Sequence, residues 1–79
     1  MLADQEVRKL LDRLCVDLGF CLRISEIERL VRDPPKEVLT FTDEVFRSEG
    51  MDPDTADRHL YRQVRDVVAA AFDQAESVG

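Results

Sequence analysis

Tryptophan is absent from this chain of 79 residues, histidine and tyrosine occur once each, cysteine twice, and glycine and proline three times each. Each scarcity excludes something. Cys15 and Cys21 have five residues between them, wider than the two to four usual for paired zinc thiolates, and His59 is the only histidine available to join them, so no metal site is expected. The apolar runs are short as well. The longest, Val67 to Phe72 and Leu18 to Leu22, fall far below the roughly 20 residues of a spanning helix, which argues against a membrane protein. The N-terminal stretch Met1 to Glu6 has neither a basic segment nor an apolar one, so no secretory signal is expected and a cytoplasmic location is.

No internal repeat, low-complexity tract or linker interrupts the sequence, which reads as a single domain over residues 1–79. Its 44% apolar and 35% charged residues exceed the hydrophobicity of an acidic disordered tail and specify a folded chain. A domain this small buries only about 60% of the surface its unfolded chain exposes, so the core must be closely patterned. Nine arginines stand against two lysines. That bias fits a GC-rich bacterial genome, and it supplies planar guanidinium groups suited to bidentate pairing.

The apolar spacing predicts an all-α fold: a compact bundle of about four helices, two long outer ones, a short second one and a proline-initiated third. Val7, Leu10, Leu11, Leu14, Cys15 and Leu18 form one helical stripe over residues 4–18, and Gly19 offers a left-handed stop. Phe20, Leu22 and Ile24 alternate with Cys21 and Arg23, as in an extended connector laying apolar side chains on the core. Ser25 and Glu28 have the spacing of a capping box for the short second helix. Ile27, Leu30 and Val31 share its inner face, and Pro34-Pro35 ends it.

Asp33 is then expected to cap a third helix over residues 35–49, ended by Gly50, with Val38, Leu39, Phe41, Thr42, Val45 and Phe46 inward. Asp52-Pro53 repeats the cap-plus-proline start for the fourth and longest helix. Its apolar face comprises Ala56, Leu60, Val64, Val67, Val68, Ala71, Phe72 and Ala75. Stripes of this kind, joined by short connections, bury one another as a bundle.

Motifs that carry chemistry are missing, so no enzyme and no cofactor are expected. Cys15 and Cys21 are expected to be reduced, half-buried small hydrophobes, with a disulfide or redox pair as the alternative. His59 is expected to be exposed, with no nucleophile or carboxylate fixed beside it by the sequence. Asp43-Glu44 and Glu26/Glu28 lack the separation of a general acid and base. Asp52-x-Asp54 resembles the start of a calcium loop, but the sixth position holds no glycine and the twelfth no glutamate.

Charge is what the sequence has in excess. Residues 33–57 carry Asp33, Glu37, Asp43, Glu44, Glu49, Asp52, Asp54 and Asp57 against Lys36 and Arg47, which accounts for the whole net charge of −6. Asp33, Glu37, Asp52 and Asp54 are assigned to caps and first turns, where the helix dipole favours carboxylates. Asp43, Glu44, Glu49 and Asp57 are left without a local role. Arg58, Arg62 and Arg65 form a stripe on the fourth helix bordered by Tyr61 and Phe72, a composition enriched at protein interfaces. On a solvated surface the same stripe would be held by i to i+4 pairs, Asp54 with Arg58 and Arg62 with Asp66.

The expected function is therefore non-enzymatic and regulatory: binding another protein, a basic one, through Asp43, Glu44 and Asp57, with Arg58, Tyr61, Arg62 and Arg65 as a second contact. A homodimer pairing the acidic and arginine faces is a variant. The alternative is a small nucleic-acid-binding module with a helix-turn-helix-like element and the arginine stripe. Nucleic acid is the weaker partner, because only three cations serve it and the protein's overall field repels phosphate.

Overall fold

The computed structural model describes residues 2–78, with side chains described through Ala75. Among these residues there are four helices and no strand: α1 (Asp4–Leu18), α2 (Ile24–Arg32), α3 (Val38–Ser48) and α4 (Arg58–Val78). The all-α bundle is as expected, with α4 the longest helix and α2 the shortest. α1 packs on both α2 and α4, and α3 packs on α4.

Each helix contributes its predicted stripe to one core. Val7, Leu10, Leu11 and Leu14 of α1 meet Leu30 and Val31 of α2, Phe41, Val45 and Phe46 of α3, and Val64 and Val68 of α4. Phe20, from the α1–α2 connection, inserts among them edge-on to Phe46, with ring centroids 5.1 Å apart. Phe72 meets Phe41 in the same way at 6.0 Å. It is partly buried and packs on the core. Thr42 is fully buried because its hydroxyl donates to the Val38 carbonyl at 2.8 Å, which satisfies a polar group that would otherwise be costly to bury.

The helix ends depart from expectation more than the helix bodies. At the start of α1, Glu6 accepts the Ala3 N–H at 2.8 Å; alanine has no side-chain oxygen to return the bond, so only half of a capping box exists there. Ser25 does not cap α2. That helix begins earlier, at Ile24, because the Arg23 carbonyl already accepts the Glu26 and Ile27 N–H groups. Ile24 consequently starts a helix and is 74% exposed, not laid on the core.

Asp33 closes α2 instead of opening α3. The residues before the two prolines are held away from helical geometry, and the first turn of α3 closes only when Phe41 N–H reaches the Glu37 carbonyl at 2.9 Å. Leu39, placed inward by the sequence pattern, is 56% exposed. α4 also starts late. Asp52 Oδ1 accepts the Asp54 N–H, and its carbonyl accepts the Ala56 N–H, so Asp52-Pro53 makes an isolated turn. The true cap is Asp57, whose Oδ1 accepts the N–H groups of His59 and Leu60 at 2.7 and 3.2 Å.

Cys15 and Cys21 are joined in a disulfide, which corrects the expectation of two reduced thiols. The cause is local. Gly19, at φ 76°, turns the chain back at the end of α1, with its N–H on the Cys15 carbonyl, and this returns Cys21 beside Cys15. No helix among the described residues is long and apolar enough to cross a membrane.

Candidate functional site

Three of the residues singled out in the acidic and arginine segments, Asp43, Arg58 and Tyr61, meet where α3 packs on α4. Phe46 is wholly buried, and Tyr61 stacks on it at 5.4 Å between centroids with 24° between planes. Position 61 lies one turn beyond the Asp57 cap, so the start of α4 decides where the phenol falls. Its hydroxyl donates to Asp43 Oδ1 at 2.7 Å, joining the two helices. Arg58 lies over the Tyr61 ring, its guanidinium carbon 4.9 Å from the ring centroid, where the ring quadrupole attracts a cation. The same guanidinium donates to the carbonyls of Pro53 and Ala56, so it clamps the turn before its own helix.

Electrostatics follow from these contacts. Desolvation raises the Tyr61 phenol above its ordinary value, and the bond to Asp43, which requires the proton, raises it further. Asp57 is held below the usual carboxylate range chiefly by the Leu60 and His59 N–H groups it accepts. His59 itself is exposed, as the sequence predicts.

The remaining predicted contact residues divide. Glu44 faces α2 and lies 3.5 Å from Arg29. Arg65 is half-buried and pairs with its neighbour Asp66 at 3.1 Å, while Arg62 is exposed. The expected i to i+4 pairs do not form: Asp66 is taken by Arg65, and Arg58 binds carbonyls in place of Asp54. Asp43, Glu44 and Asp57 thus all have roles inside the fold, contrary to the expectation that they lack them.

Two features escaped the sequence reading. Arg29 is a junction between α2 and α3. It donates to Glu26 through Nε and Nη2, at 3.1 and 2.9 Å, and to Ser48 at 3.3 Å, while Ser48 donates to the same Glu26 oxygen at 3.1 Å. The Arg29 bond, followed by that from Ser48, draws the Glu26 carboxyl below its ordinary value. The Glu26 to Arg29 spacing was a signal for part of this cluster; Ser48, on another helix, gave none.

The second feature is the reassignment of the acids. Asp33, Glu37, Asp52 and Asp54 are exposed, and among the described residues none of them pairs with a cation. Only Asp52 has a side-chain bond, to the Asp54 N–H. They occupy the two connections that flank α3. Glu37 and Glu44 are seven residues apart, two turns along one side of that helix.

An open groove of about 580 Å³ lies elsewhere, between α1 and α4, with Leu10, Val67, Ala70 and Ala71 among its lining residues. None of the predicted contact residues lines it. Among the described residues no group of three or more histidine, cysteine, aspartate or glutamate side chains is arranged to hold a metal ion. Set against known proteins, the chain matches no family model, no curated protein and no solved structure.

Proposed function

We propose that the protein is a non-enzymatic, regulatory binding module that engages a basic protein partner through the acidic connections on either side of α3. The observation that carries this reading is the unpaired state of the exposed carboxylates Asp33, Glu37, Asp52 and Asp54, set in a segment that holds the whole net charge of −6. Carboxylates free of intramolecular cations keep their field available for steering. Asp43 and Glu44 take a different part: their bonds to Tyr61 and Arg29 hold α3 in place between its neighbours. The protein reading is favoured over nucleic acid because Arg58 is spent on carbonyls and Arg65 on Asp66, which leaves Arg62 alone of the stripe to meet phosphate. A cytoplasmic location belongs to the same proposal.

Affinity capture from the source cell at low and high salt tests it, with a control variant carrying Asp33→Asn, Glu37→Gln, Asp52→Asn and Asp54→Asn. Asparagine at position 52 can still accept the Asp54 N–H, so the turn survives. A basic protein should be retained by the native chain at low salt only and not by the variant. Equal retention by both would overturn the proposal.

A further inference from the structure

The disulfide is not sealed in the core. Cys15 is half-buried on α1, but Cys21 is exposed in the connection that follows. Both line a shallow pocket of about 270 Å³ whose apolar side is formed by Leu11 and Leu22 and whose polar side is formed by Arg8 and Asp12. Arg8 and Asp12 are four residues apart on α1, so they sit one turn apart on the same side. Both are exposed, and neither has an ion pair or side-chain hydrogen bond among the described residues. A cation, an anion and a reachable disulfide therefore border one small concavity.

We propose that Cys15–Cys21 is a thiol-exchange site for small amino-acid-type thiols, with Cys21 as the sulfur attacked and with Arg8 and Asp12 receiving the thiol's carboxylate and ammonium groups. The incoming thiolate bonds to Sγ of Cys21, the Cys15–Cys21 bond breaks, and Sγ of Cys15 departs with the bonding pair as a thiolate. The products are a mixed disulfide on Cys21 and a free Cys15. Electrons balance without an external oxidant, because one disulfide is consumed as another forms. A second thiolate attacking the mixed disulfide releases the small-molecule disulfide and leaves both cysteines reduced.

The surroundings suit each part of the step. Attack runs along the S–S axis, and exposure at Cys21 opens that line. Opening the bond does not undo the fold around it. Phe20, only 4% exposed and packed on Phe46, keeps the connection anchored, and the Gly19 and Phe20 N–H groups remain bonded to Cys15 and Leu14. The site is independent of the acidic connections of α3, so each proposal stands or falls by its own experiment.

The test uses the oxidised, folded chain without denaturant. Rates of exchange with cysteine, 2-mercaptoethylamine, 3-mercaptopropionate and 2-mercaptoethanol are measured at equal thiolate concentration, each divided by the same thiol's rate with a small uncharged model disulfide to remove intrinsic nucleophilicity, and the adduct is located by peptide mass mapping. Cysteine should exceed 2-mercaptoethanol by about fivefold, the combined worth of two exposed ion pairs, with the two singly charged thiols between them and the adduct on Cys21. The double variant Arg8→Gln, Asp12→Asn should bring all four rates together while leaving that of 2-mercaptoethanol unchanged. Equal rates in the native chain, exchange only after unfolding, or an adduct on Cys15 would each overturn the proposal.

Discussion

Gly19 and Gly50 end α1 and α3 with the same left-handed backbone, at φ 76° and 79°, yet the chain that leaves each is secured by different chemistry. After Gly19 the connection to α2 is short and closed by a covalent bond between Cys15 and Cys21. After Gly50 the longer connection to α4 has no covalent closure and is held by a network of polar contacts. Met51 and Gly50 N–H groups return to the Phe46 and Arg47 carbonyls in a Schellman motif. Asp52 makes a turn, Arg58 clamps its carbonyls, and Asp57 caps the next helix. One connection should answer to redox conditions and be indifferent to acid, and the other should do the reverse.

The largest expected effect comes from the residue the two ends share. Phe46 touches Phe20 from the first connection and Tyr61 from the second, so Phe46→Ala should cost about 3–5 kcal/mol in urea unfolding. A much smaller loss would show that the two ends are not joined through this ring.

Next comes the covalent end. Replacing Cys15 and Cys21 together by serine should cost about 2 kcal/mol, the loop-closure worth of a short disulfide. The loss should be the same at neutral pH as in mild acid. A loss that varies with pH across that range would break the contrast.

The smallest effect belongs to the polar end. Asp57 has a folded-state pKa below its ordinary value, so its stabilisation is complete above about pH 3.9 and disappears as pH falls through the folded value. Asp57→Ala should lower Tm by about 5 °C at neutral pH and flatten the acid limb of the stability curve. Asp57→Asn, which still accepts the two N–H groups, should keep most of Tm and lose the same part of the pH dependence. Reducing agent should leave the difference between native and Asp57→Ala chains unchanged.

The helix bodies were legible in the sequence because a stripe such as Val7, Leu10, Leu11 and Leu14 has no other way to be buried together. The ends were less so, since several groups compete for the same free N–H. Asp52 and Asp57 both have the chemistry of a cap, and Asp57 captures α4 because Asp52 is engaged in its own turn. The assembly of Asp43, Arg58 and Tyr61 needed the packing of α3 on α4. Composition singles these residues out one by one, but the bond across 18 residues has no local signature. The disulfide depended on the direction in which Gly19 sends the chain, which spacing alone does not specify.

Those two glycines have a further consequence. A Cβ added at either would meet nothing within 4 Å, so volume does not reserve these positions. Chirality does: an L side chain has room there but almost no comfortable backbone well. Asparagine, the residue that best tolerates this region after glycine, is therefore the substitution each position should accept most readily, and a β-branched residue the one it should resist most.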